Sequence, residues 1–266
     1  QHAKVTAMSG IAAASINGCT THSAALLPVK QKRLQGRLDN NMTKVLEERQ
    51  KQTVDNREVT CNWLFVDEIS LMGAKNWGYL SMRLQNLCKD EKYKNDPLGN
   101  MNVITFGDHA QLPPVADDMP YDNFNQRGKK YVQLKTMGKA AYKKITDEGH
   151  VVVLTESKRV DKNDPESVLF ESILKALRDD TLTTEQAELL RAREHYRLPP
   201  EEQKRFDNSV HLFARNPPRK IYNLEQLLKR KVPIARLRAE HNNRSAKHKS
   251  FDSFGLHEEL TLAPGA

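Results

Sequence analysis

The sequence predicts an α/β protein: a parallel β-sheet flanked by helices, followed by a second, incomplete α/β domain. Three observations lead there. Short apolar runs of strand length recur in the first part of the chain, among them AKVTA, NWLFVD and MNVITFGD, and the last two end in an acidic residue. Such runs read as strands buried on both faces of a sheet. Stretches with apolar residues at helical spacing separate them. Strand, loop, helix and strand in that order make βαβ units, which call for a parallel sheet.

AKVTA, in a chain with no initiator Met, runs into the small-residue turn and helix of MSGIAAAS, so the chain reads as cut from something longer. Residues 30 to 57 are charged and Gln-rich, which suggests an exposed helix or an insertion with no chemistry of its own. The strand at 62 to 67 follows, then a helix with Leu80, Leu84, Leu87 and Cys88 on one face. Residues 101 to 108 form a third strand and VVVLT, 151 to 155, a fourth. After Arg159 the character changes. PESVLFESILKALRDD places Val168, Leu169, Ile173, Leu174 and Leu177 along one stripe, and TTEQAELLRARE continues as a Thr-capped helix. SVHLFA, 209 to 214, reopens strand and helix alternation. The expected domains are residues 1 to 160 and 161 to 266.

Composition excludes several classes. At 266 residues the chain is long enough for real cores, and 42 Lys and Arg against 34 Asp and Glu give a formal net charge of +8. That balance suits a polyanionic partner, and it also describes an ordinary solvated surface. Cys19, Cys61 and Cys88 form no CxxC pair, and no His stands at zinc-finger spacing from them, so a disulfide scaffold or structural zinc is not expected. The longest apolar runs, such as AALLPV and VVVL, fall far short of the roughly 18 residues a membrane helix needs, and no signal-peptide pattern is present. The expectation is an intracellular protein without a membrane partner.

Two strand ends carry the chemistry. LFVDEISLM, residues 64 to 72, sets Asp67 and Glu68 at the end of an apolar run, where ligands collect in an open parallel sheet. A carboxylate pair there suits a magnesium holder and a general base, the Walker B arrangement of nucleotide hydrolases, and equally the acidic cap of the next helix. ITFGDHAQLPPV, residues 104 to 115, ends a second strand in Asp108, with Gln111 in the loop and two prolines stiffening the exit. A Gln at that place can reach a terminal phosphate and position the attacking water. Two strand ends delivering polar groups to one sheet edge argue for a site.

The motifs VTAMSGIAAASINGCTTHS, LFVDEISLM, GDHAQLPPV and LTESKRV, in that order, resemble those of the petite-integration-frequency (Pif-type) DNA helicases, in the RecD-like branch of superfamily one, with relatives among Helitron-associated helicases. The resemblance spans residues 4 to 180, with weaker blocks in LFARNPPRKIYNLEQL and LTLAPGA. It implies a RecA-like P-loop NTPase domain followed by an incomplete second one. It implies ATP and Mg2+ as cofactors, with Asp67 holding magnesium, Glu68 polarising water, Gln111 sensing the terminal phosphate and Arg159 acting as a finger on it. It implies 5′-to-3′ unwinding in DNA repair, recombination and telomere maintenance, in the nucleus or the mitochondrion, on single-stranded DNA and duplex junctions. Thr21, His22 and Ser23, with the Pro113 and Pro114 turn, then lie along the single-strand path; a lone His is also often merely packed. Lys129 and Lys130, in RGKKYVQLKTMGKAAYKK, are candidates for the DNA backbone or for a solvated face. Tyr131 and Tyr142 either stack on bases or pack inside.

The sequence contains no GxxxxGK followed by Ser or Thr, the loop that holds nucleotide phosphates. Hence two expectations stand side by side: an internal piece of an ATP-driven helicase, inactive alone, or a non-catalytic single-stranded-DNA-binding remnant of one.

Overall fold

In the computed structural model, residues 2–28, 40–54, 57–123, 131–147, 149–240 and 259–265 are described. Two compact units divide the chain, residues 1–157 and 158–266.

The first unit is built on strands β1 (Ala3–Ala7), β2 (Cys19–Thr20), β5 (Trp63–Asp67) and β6 (Asn102–Thr105). Their order is β2-β1-β5-β6, and each pairing is parallel. Helix α1 (Gly10–Ser15) joins β1 to β2, and the short α2 (Thr21–Ala24) follows at once. Next come α3 (Asn40–Arg49) and an antiparallel hairpin of β3 (Lys51–Val54) and β4 (Arg57–Thr60). Helices α4 (Ala74–Leu87) and α5 (Val132–Thr146) complete the unit. The strands predicted at 3 to 7 and 62 to 67 are present within a residue, the run predicted at 101 to 108 is a strand only over Asn102–Thr105 and is half-exposed rather than buried, and the parallel sheet flanked by helices is as expected.

Packing explains the layers. Leu64 and Val66 of β5 alternate with half-exposed neighbours, and with Ile69, Met72, Trp77, Leu80, Leu84, Leu134 and Ala141 they form the buried core. Each such large side chain contributes about 1.5–3 kcal/mol by leaving water. Helices α4 and α5 cross closely because Gly78 and Gly138 lie at the contact. A Cβ on Gly138 would stand 2.0 Å from the Ala74 carbonyl oxygen, and one on Gly78 would stand 2.1 Å from that of Leu134.

The second unit holds α6 (Pro165–Arg178), α7 (Thr184–Ala192), α8 (Pro200–Lys204), α9 (Asn216–Lys229) and an antiparallel pair, β7 (Ala235–Arg238) with β8 (Glu259–Leu262). Both predicted helices are there. Asp164 caps α6 with Pro165 in its first turn, and Thr183 with Gln186 forms a capping box on α7.

Two predicted strands are absent. VVVLT (151–155) is irregular, with Val152 83% and Leu154 88% exposed. SVHLFA (209–214) is irregular too, with Val210 89% and Leu212 93% exposed. Their β-branched and apolar composition satisfies strand propensity, but a strand exists only where a neighbouring edge accepts its hydrogen bonds, and neither run is paired among the described residues. The α6 stripe is likewise only partly buried: Ile173 is inside, whereas Val168, Leu169, Leu174 and Leu177 are exposed.

Candidate active site

Backbone hydrogen bonds carry three strand ends to one edge. Beyond β1, the Met8 amide donates to the Asp67 carbonyl at 3.2 Å; beyond β6, Phe106 donates to Val66 at 2.9 Å, and the Ile69 amide returns to Phe106 at 3.0 Å. Gly107, at φ 147°, allows this approach, since a Cβ there would lie 2.8 Å from the Ile69 nitrogen.

At the β5 exit, Asp67 accepts from the Glu68 amide at 2.9 Å. Glu68 itself is left-handed, φ 57° and ψ 48°, and opens a tight turn over Ile69–Leu71. For a non-glycine residue that backbone costs on the order of 1–3 kcal/mol, a strain that often accompanies a functional position. At the β6 exit, Asp108 folds its loop by accepting from the Ala110 amide at 3.0 Å through its carboxylate and from Gln111 at 3.0 Å through its carbonyl. Gln111 is left exposed.

These turns line one cavity of about 600 Å³, with Ser9, Glu68, Ser70, Gln111, Leu112 and Pro113 in its wall. The structure thus brings Glu68 and Gln111 together, 43 positions apart in sequence. Asp67 stands directly before Glu68, half-buried, but is not in the wall. Ser70 is fully buried, and its hydroxyl has no hydrogen-bond partner among the described residues. An unsatisfied buried hydroxyl is costly, and Ser70 is one of several such groups among the described residues. Sequence reasoning missed both Ser9, the cap of α1, and Ser70. Arg159 belongs to the second unit and is exposed.

No group of three or more His, Cys, Asp or Glu able to hold a metal occurs among the described residues. A magnesium ion beside nucleotide phosphates needs only one or two carboxylates, the rest being phosphate and water oxygens, so the half-buried Asp67 at the β5 exit fits one.

The second candidate surface is the TTHS turn. Thr20 caps α2 by accepting from the Ser23 amide at 3.2 Å. Thr21 is fully buried, and its hydroxyl donates to Thr6 at 3.1 Å, which in turn donates to the Phe65 carbonyl at 2.8 Å. The residue therefore pins the turn to the sheet from within. His22 is half-buried, and burial pushes its imidazole below the usual value, so it is neutral at neutral pH. Ser23 is exposed, as is Pro113, whereas Pro114 is buried. Lys129 and Lys130 lie outside the described residues. Of the two tyrosines, Tyr142 packs edge-on to Trp77 at 6.0 Å and bonds His109 Nε2 at 2.9 Å, and Tyr131 packs against the core, so the packing alternative holds for both.

A distant contact holds the proline loop in place. Asp117 accepts from the Lys75 amide at 2.9 Å, and Lys75 Nζ donates to the Ala116 carbonyl at 2.8 Å. Gly73 caps α4 without a side chain, so Asp117 does what a capping residue would. None of the described helices is long and apolar enough to cross a membrane.

The family described as PIF1-like helicase matches residues 1–188. The ATP-dependent DNA helicase PIF1 of Candida albicans is 32% identical over 123 residues, 44% of this chain and 12% of that protein. The ATP-dependent DNA helicase Pif1 of Psychrobacter sp. is 34% identical over 112 residues, 42% of this chain and 15% of that protein. Among solved structures, the Pif1 helicase of Candida albicans shares the fold with a TM-score of 0.68 at 21% identity, over 100% of this chain and 53% of that one. Pif1 helicase from Bacteroides in complex with ADP-AlF3 and single-stranded DNA gives 0.61 at 20% identity, over 98% of this chain and 54% of that one. The chain therefore spans about half the length of the solved helicases whose fold it shares.

Proposed function

The chain belongs to the PIF1-like helicase family, and from that premise we propose that it forms part of an ATP-dependent DNA helicase, with its hydrolytic residues in the Glu68 and Gln111 cavity. One observation carries the reading: two loops leaving adjacent parallel strands deliver a carboxylate and an amide to the same cavity, at the carboxyl edge of the sheet.

In this mechanism Glu68, held outward by its left-handed backbone, accepts a proton from the attacking water. Gln111 orients that water and the terminal phosphate from the opposite loop. Asp67 holds Mg2+, which when bound offsets charge on the phosphates. Arg159, the candidate arginine finger, would add a planar cation to the charge spread over the equatorial oxygens. Residues 161–266 are read as a partial second RecA-like domain, residues 1–160 as the first. His22, Ser23 and Pro113 face single-stranded DNA at or near a duplex junction, with Thr21 and Pro114 supporting them from inside, and Lys129 and Lys130, outside the described residues, are further candidates for the DNA backbone. Translocation is 5′-to-3′, in DNA maintenance in the nucleus or the mitochondrion.

The test is Glu68→Gln in a polypeptide that carries a phosphate loop ahead of β1. DNA-stimulated ATP hydrolysis is expected to fall by about 100-fold or more, with nucleotide affinity nearly unchanged, because the amide keeps the shape but takes no proton. Parental turnover by that variant would remove Glu68 from the chemistry.

A further inference from the structure

The charged stretch from residue 30 to 57, expected to have no chemistry of its own, ends against the TTHS turn. Arg49, the last residue of α3, donates from Nη1 to the Ser23 carbonyl and lies 3.5 Å from the Ser23 hydroxyl. Beside it, Gln50 is 4% exposed and donates to the Ala24 carbonyl at 3.0 Å, and Gln52 donates to the Ala3 carbonyl at 2.8 Å. Three contacts, from residues 49, 50 and 52, thus dock α3 and β3 on α2 and β1.

Gln50 shows what a purely structural contact here requires: one neutral N–H on one carbonyl. Arg49 brings more than that. Its guanidinium has five N–H groups in a planar fork, of which Nη1 is engaged by Ser23, and the side chain is exposed. Ser23 presents an exposed hydroxyl beside Arg49, and His22, its neighbour in sequence, is half-buried and neutral, so a cation stands next to a hydroxyl at this turn. The nearby Glu48 is already paired with Lys51 at 2.8 Å. A fork of donors beside a hydroxyl matches a phosphodiester, which accepts charge-assisted hydrogen bonds from both.

We propose that Arg49 is a phosphate-contacting residue for a nucleic-acid single strand that passes the TTHS turn; this rests on the reading of that turn as part of the DNA path. The insertion then serves to bring a cation to a turn whose own residues 20 to 23 carry no positive charge at neutral pH.

The experiment is a salt titration of binding to a fluorescein-labelled oligo-dT, read by anisotropy on the whole chain and on three variants. For the parent, log affinity falls linearly with log salt. Arg49→Ala and Arg49→Gln are each expected to make the slope shallower by about 0.7, the value of one lost phosphate contact on a single strand. Arg49→Lys is expected to keep the parental slope. The Gln variant retains a donor for the Ser23 carbonyl, so it decides the matter if Ala loosens α3, as checked by circular dichroism. A parental slope for Arg49→Gln overturns the inference and leaves the single-strand reading intact. No binding by the folded parent at low salt overturns that reading, and this inference with it.

Discussion

At the scale of single residues, Asp117 shows how a side chain far away in sequence can supply a missing local signal. Helix α4 starts at a glycine, and its first turn has no acidic residue, so nothing local satisfies its amides. Asp117 does so from the proline loop, at the cost of burying a carboxylate. Burial pushes its pKa up, against the pull of Lys75 and of the amides it accepts from. A carboxylate whose folded pKa is raised gives its full stabilisation below the ordinary carboxylate pKa and loses it as pH rises through the folded value. Asp117→Asn keeps an acceptor for the Lys75 amide and does not titrate. Urea unfolding at a series of pH values is therefore expected to show the Asn variant gaining on the parent as pH rises from the ordinary carboxylate value upward. The opposite trend would mean that the Lys75 charge outweighs burial. The strained Glu68 is the complementary case, a residue whose backbone costs energy in the wall of the cavity.

At the scale of elements, the α4 and α5 crossing decides whether the site holds its shape. Both site loops are tied to these helices: the β5 exit leads into α4, and the β6 loop is bound to α4 through Asp117 and to α5 through the His109 and Tyr142 bond. Two glycines let the helix backbones meet. Gly138→Ala puts a methyl group into the Ala74 carbonyl, and since that obstacle is backbone, the helices have to move apart. The expected loss is about 1–3 kcal/mol, seen as a lower midpoint in thermal or urea unfolding. An unchanged midpoint would show the crossing to be looser than this packing. The unpaired run 151–155 makes the converse point, because an element with strong local propensity stays irregular when no edge receives it.

At the scale of the whole molecule, the chain shares the fold of solved Pif1 helicases over about half of their length. The first unit contains Glu68 and Gln111, and the second contains Arg159. The 266 residues contain no GxxxxGK followed by Ser or Thr, the motif that grips nucleotide phosphates. Purified as it stands, the chain is expected to release phosphate from ATP no faster than a Glu68→Gln control, in a coupled assay with and without single-stranded DNA. Hydrolysis above that control would show that the residues present assemble a working site by themselves.

The sequence by itself determined the family, the parallel sheet and the two strand-end motifs, because apolar runs of strand length and the types of residue that follow them are local properties. It also placed Asp67, Glu68 and Gln111 at the right ends of β5 and β6. Only the tertiary structure decided which side chains face the cavity, that Thr21 points inward to Thr6 while Ser23 remains outside, and that Ser70 lies buried without a partner. Likewise, nothing local announces that Arg49 meets Ser23 or that Asp117 meets Lys75. The two irregular runs mistaken for strands have the same cause. Strand pairing, burial and contact between distant residues depend on what the rest of the chain brings alongside, and that is set by packing rather than by the residue's own neighbours in sequence.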